Sequence, residues 1–202
     1  MYNTGGIILR LFQTLNLEDY FNHKIVGNEQ EVRSTGKLEN FGVKNNLFLP
    51  DKFPESFEKS EIPFANNKIL KSEEYDNIQC EAQKIKIHLK QASKIFFLGF
   101  CECGDIGETI RLDYSINEIV ENKLFFYDWL VTNLDERWDY DVWNQNCSPY
   151  LEAHVSTNKR RRIYQYECPL KVFDKDLDSI ILPYNPLLHI LAITVEQGGD
   201  KQ

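Results

Sequence analysis

Three stretches of this sequence hold residues able to bind or transform a polar ligand. Cys101-Glu102-Cys103-Gly104-Asp105 sets two carboxylates and two thiols in one short run. Asp128-Trp129 leads into a long aromatic and charged segment, Asp135-Glu136-Arg137-Trp138-Asp139-Tyr140-Asp141-Val142-Trp143-Asn144-Gln145-Asn146. Tyr184-Asn185-Pro186 forms the third, near the C-terminus. Sugars pack their C–H surfaces on flat aromatic faces, while carboxylates and amides satisfy their hydroxyls. Trp138, Tyr140 and Trp143 supply such faces, and Asp139, Asp141 and Asn144 supply acceptors and donors. His154, farther along, could donate to a hydroxyl. The same aromatics could instead fold back as a lid or minor core beneath a long loop, since large rings more often serve burial.

Other chemistries draw on the same residues. Glu102, Asp105, Asp128 and Glu152 could provide the paired carboxylates of glycosidic cleavage, which must face each other across a cleft, roughly 5–9.5 Å apart. Cys101 and Cys103, at i and i+2 on a strand, would point to one side and could face a metal. A zinc site wants four ligands, however, and Cys80, Cys147 and Cys168 lack ligand-like spacing. Buried free thiols are the better reading. His189 aligns with Leu191 and Ile193 and reads as a strand histidine with a satisfied partner. The basic run Lys159-Arg160-Arg161-Arg162 reads as a solvated loop edge.

The elements that must position these residues are strands. Period-two alternation marks seven: Ile85–Lys90, Ile95–Cys103, Glu108–Ser115, Lys123–Leu130, Arg161–Leu170, Ser179–Tyr184 and Leu187–Glu196. Ile95–Phe100 is apolar on both faces, as a central strand covered on both sides would be. Turn chemistry separates the runs at Gly104–Gly107, Asp174–Asp178 and Asn185-Pro186. Repeated strands with short connections, and no amphipathic helix to make a crossover, predict an all-β antiparallel sandwich. Residues 1–16 read as an arm or added strand. Residues 17–196 form the domain, with a loop-rich stretch over 17–84, and 197–202 a polar tail.

Composition narrows the partners. A chain of 202 residues is one domain with ample core. The net charge of −8 argues against nucleic acid, which needs a basic stripe. No segment approaches the roughly 18 apolar residues of a membrane span. Ile7-Ile8-Leu9 is too short for a secretory leader. Five irregularly spaced cysteines suit reduced thiols in a cytoplasm, or a secreted protein if a leader has been trimmed.

The order of short motifs carries a resemblance. Leu17-Glu18-Asp19-Tyr20-Phe21-Asn22, Gly36 to Gly42, Ile62-Pro63-Phe64, Asp76-Asn77-Ile78 and Gln83-Lys84-Ile85 come first. Phe97-Leu98-Gly99, Gly104–Gly107, Tyr127-Asp128-Trp129, and Ile181–Asn185 leading to His189–Ile193 follow. Together they resemble the galactose-binding-like β-sandwich domains appended to bacterial glycoside hydrolases. The resemblance implies a jelly-roll sandwich and a noncatalytic carbohydrate-binding module or sugar-recognising accessory protein. It implies a structural role for Asp128, bonding loop N–H groups. It also implies a structural calcium, held by the Asn22–Asn28 loop and by Glu196 after the last strand.

Alternating strand directions then send three loops to one end: Cys101–Asp105, Leu130–Arg160 and Tyr184–Pro186. The expected ligand site is Glu102, Asp105, Asp128, Trp129, Trp138, Tyr140, Trp143, Asn144, His154 and Asn185, with Asn22 and Glu196 for a metal. Carbohydrate is the expected ligand. A carbohydrate-active enzyme, or an interaction domain that buries the aromatic loop against a protein or a second copy, are the alternatives.

Overall fold

The structure, a computed structural model, describes residues 10–27, 47–50, 53–54, 61–65, 75–115, 118–130, 146–155, 160–171 and 175–198. Its strands are β1 Leu11–Thr14, β2 Ile78–Glu81, β3 Lys84–Leu89, β4 Ala92–Cys101, β5 Ile106–Tyr114, β6 Glu118–Phe126, β7 Cys147–His154, β8 Arg160–Pro169, β9 Leu177–Ile181 and β10 Tyr184–Gln197. A 3-10 turn, Glu18–Tyr20, accompanies them. They form two antiparallel sheets. The larger runs β1-β10-β4-β8-β7, with β2 also on β10; the smaller runs β3-β9-β5-β6.

All seven strands legible in the sequence are present, with shifted ends. The segment read as one long loop after Leu130 contains an eighth, β7. Pro149 lies inside it, tolerated because, among the described residues, β8 alone pairs with β7 and leaves it an edge strand. Asn185-Pro186 is not a corner between strands. It lies within β10, and the chain crosses between sheets at Leu182-Pro183 instead. The link between β2 and β3 crosses alongside: Ala82 N–H donates to Pro183 O (3.1 Å) and Leu182 N–H to Gln83 O (3.0 Å).

The central strand β4 is buried on both faces, so the larger sheet separates two cores. Ile95, Phe97 and Cys101 face the smaller sheet, meeting Ile110, Leu112, Phe126 and Ile180. Phe96, Leu98 and Phe100 face the other way, under Ile25, Phe48, Phe53, Ile62 and Phe64 from the loop-rich N-terminal third. The described segments of that third therefore act as a covering layer. Thr194 helps fasten it, donating to Pro63 O (2.5 Å).

Strand β10 serves both cores through a bulge. Its register with β4 slips between Ile190 and Ala192, so Leu191 and Ala192 both belong to the covered face while Ile190 and Ile193 face the inter-sheet core. A bulge re-aims side chains locally. Gly99 makes it fit: a Cβ there would stand 2.2 Å from His189 O. Only glycine lets β4 approach the bulged strand so closely.

Candidate functional site

At the end of the sandwich where β4 stops and β10 starts, the chain leaving β6 wedges into the larger sheet. Cys101 N–H donates to Tyr127 O (2.8 Å) and Trp129 N–H to Cys101 O (2.9 Å), while on the other side Arg162 N–H donates to Trp129 O (2.8 Å). Residues 127–130 thus splay β4 from β8 and stitch the two sheets together. Glu102 N–H donating to Leu187 O (2.8 Å) brings in β10. The structure therefore places the Cys101–Asp105 loop, the entry to the long segment and the start of β10 side by side.

The carboxylates here bind the molecule's own backbone. Cys103 and Gly104 take left-handed backbone conformations (φ 64° and 121°), which presents Gly104 N–H to Asp128 Oδ2 (2.7 Å). Asp128 Oδ1 accepts from Leu130 N–H (2.8 Å), and Asp128 N–H donates to Asp105 Oδ1 (2.7 Å). Asn185 donates to Glu108 Oε1 (2.6 Å) and accepts from Leu187 N–H (3.0 Å). Glu152, on β7, is held by Arg160 (2.6 Å) and Arg162 (2.8 Å). Such local bonds fix loop shape rather than await a ligand.

Trp129 was expected among the ligand contacts; it is buried instead. Its ring stacks on Phe100 (4.9 Å, 8°), and Phe100 stacks in turn on His189 (4.9 Å, 17°), which tilts against His23 (4.8 Å). The Arg161 guanidinium carbon lies 5.0 Å from the Trp129 ring centroid. Burial lowers the Arg161 pKa, opposed by the Asp128 charge. The column runs across neighbouring chain segments from Arg161 to His23, so Trp129 is spent on packing.

Beneath the covering layer lies a buried polar cluster that pattern reading overlooked. Asp76 accepts N–H bonds from Ile25 and Val26 (both 2.8 Å), with Lys24 Nζ 4.0 Å away. Full burial pushes its carboxyl up to about 6, against the hydrogen bonds and Lys24 that pull it down. Asn77 Nδ2 donates to His23 O and to Asp76 Oδ1 (both 2.9 Å). Its Oδ1 is thereby the acceptor for His189 Nδ1–H (2.9 Å), which sets the tautomer. The other ring nitrogen, Nε2, sits 3.0 Å from Glu102 Oε1 without a well-aligned hydrogen bond. Burial holds both imidazoles neutral, down to about 3, with the neighbouring His189 adding to the effect on His23. The expectation that His189 is a bonded strand histidine holds geometrically. Asp76-Asn77, a pair of turn-forming residues directly ahead of apolar Ile78, was the available signal.

The calcium reading needs Asn22 and Glu196 together, and the structure separates them. Asn22 clasps β2, with Gln79 O (3.1 Å), Gln79 N (2.8 Å) and Glu81 Oε2 (3.1 Å) as partners. Glu196 lies at the far end of β10, paired with Arg10 (3.5 Å). β2 meets β10 no farther along than Ile190, so at 3.3 Å per residue about 20 Å intervenes. Among the described residues no group of three or more His, Cys, Asp or Glu could hold a metal ion. Trp138, Tyr140, Trp143 and Asn144 lie outside the described residues. His154 ends β7 rather than sitting in a loop. Of the five cysteines, Cys103 alone is exposed, and all are free thiols.

This architecture matches the family described as the AziU2-like beta-sandwich domain, over residues 12–199. The chain belongs to that family. No curated protein matches it. The AziU2-like match spans both sheets, the covering layer and the loop end, so the buried polar cluster lies within the family's domain. Among the described residues no helix is long and apolar enough to cross a membrane.

Proposed function

We propose that this AziU2-like domain is a noncatalytic binding module that docks a protein partner on the loop end. One observation carries the reading. Of the acids available for catalysis, Glu102 is buried and Asp105, Asp128 and Glu152 are engaged within the molecule, whereas Tyr184 (74 % exposed), Leu187 (41 %) and Leu130 (39 %) stand out at that end. Acid–base catalysis wants two carboxyl groups facing a cleft. An aromatic and two leucines on a rigid end suit the desolvated centre of an interface.

A photo-crosslinking residue at Tyr184 or Leu187, expressed in the native host, tests this. One defined protein adduct from those positions, and none from a crosslinker at Lys86 on the smaller sheet, is the expected result. Equal adducts from all three, or none, would count against it.

The bare ring of Tyr184 supports a second reading, carbohydrate recognition of the galactose-binding kind implied by the motif order. Stacking on that ring would supply the apolar part of sugar binding. A glycan array that gives a hit lost in Tyr184→Ala favours this reading over a protein partner.

A further inference from the structure

We infer that the domain pairs with a second copy of itself along β6, joining two four-stranded sheets into one of eight. Strand β6 ends the smaller sheet, and among the described residues no strand pairs with its outer edge. At 9 residues it is a long open edge. Such edges recruit other strands unless charge, proline or bulges blunt them, and its register with β5 is unbroken from end to end.

The sequence of that edge is complementary to itself. An antiparallel β6–β6 pair centred on Asn122 sets Glu121 opposite Lys123, Val120 opposite Leu124, and Ile119 opposite Phe125, each pair occurring twice about the dyad. Glu121 and Lys123 are exposed, so the two ion pairs form on the outer face. Ile119 (55 % exposed) and Phe125 (36 %) flank them there, and each gains an apolar neighbour. Cross-strand pairs of these types are the units that stabilise antiparallel sheets. On the inner face Val120 and Leu124 prolong the inter-sheet core into the partner.

The dyad residue supplies an independent indication. Asn122 Nδ2 is buried without a hydrogen-bond partner in the single chain, and a group so placed calls for an explanation. Turned toward the edge, two Asn122 carboxamides meet across the dyad and can exchange N–H···O bonds. A register one residue off in either direction loses both the amide pair and the charge complement. The pairing rests on the edge of β6 and uses none of Tyr184, Leu187 and Leu130, so it does not depend on the docking reading above.

Sedimentation velocity of the full chain over a concentration series up to about 100 μM, a range in which modest mass-action dimers appear, tests it. The wild type should reach twice its 23.8 kDa mass. Lys123→Glu sets like charges opposite each other twice and should weaken dimerisation at least tenfold, with unchanged circular dichroism. The double exchange Glu121→Lys with Lys123→Glu restores the complement and should restore the dimer. A wild type that stays monomeric, a dimer indifferent to Lys123→Glu, or a double exchange that fails to rescue would each overturn the inference.

Discussion

Replacing Gly99 with alanine tests the link between the bulge of β10 and the site. The added methyl would lie 2.2 Å from His189 O and 3.1 Å from Ile190 Cδ1. Carbon contacts are comfortable near about 3.5 Å, so the overlap exceeds about 1 Å. The obstacle is a backbone carbonyl in a buried strand, not a side chain able to rotate away. Overpacking costs about 1–3 kcal/mol when side chains can adjust, so a loss of about 3 kcal/mol or more is expected here. Removing glycine's excess chain entropy returns only about 0.5–1 kcal/mol. Gly107→Ala is the control. Its Cβ would meet the outer end of the Phe125 ring at 2.9 Å, and an exposed ring can swing, so the cost should stay below about 1 kcal/mol. Urea titration of the three proteins measures both. The imidazole resonances of His189 should shift in Gly99→Ala, because the strand carrying it must move. If the two variants differ by less than about 0.5 kcal/mol, the close approach of β4 to the bulge does not limit stability and the reasoning fails.

Two further predictions concern the covering layer. Asp76→Ala leaves the buried N–H groups of Ile25 and Val26 without their acceptor and should cost about 3–5 kcal/mol; Asp76→Asn keeps one acceptor oxygen and should cost less, and equal stabilities by denaturant titration would refute this. Stability should also fall with acid. His23 and His189, held down to about 3 in the fold, bind protons near 6.5 only when unfolded, so their contribution is present above pH 6.5 and lost below it. From pH 7 to 5 the pair should cost about 4 kcal/mol, while Asp76, raised to about 6, takes up a proton in the folded state and returns about 1 kcal/mol, for a net loss of about 2–3 kcal/mol. Unfolding free energies that do not change between pH 7 and pH 5 would show that the rings are not held neutral.

The two cores explain why acids at the loop end serve structure. Residues 127–130 leave the smaller sheet and enter the larger one, and a segment that changes sheets must satisfy its backbone without a regular ladder on either side. Asp128 and Asp105 supply the missing partners. Trp129 then anchors the wedge by stacking on Phe100 in the covered core. Freeing any of these groups to meet a ligand would loosen the joint between the sheets. The side chains of Tyr184 and Leu187 lie outside that joint and stay exposed beside it.

How far this was legible follows from what periodicity can register. The two-sided burial of β4 was plain, because no solvent-facing strand carries Ile95, Phe96, Phe97 and Leu98 in succession. β7 was hidden by Pro149, which argues against a strand unless the strand is an edge, and edge position is a tertiary fact. The same limit hid β10's true start: Asn185-Pro186 has turn chemistry, yet it pairs with β2 because β10 extends beyond the end of β4. For the site, residue type misled wherever burial decides the role. A tryptophan beside an aspartate at a strand end looks like a sugar platform, and only the core beneath shows that the ring faces inward. His23, Asp76 and Asn77 carry no period, since they lie in the covering layer, where each polar group answers to one backbone partner rather than to a repeating face. A cluster of that kind becomes visible only when segments 50 residues or more apart in sequence close over one another, which is why chemistry read from local spacing pointed at the loops and found His189 without its partners His23, Asp76 and Asn77.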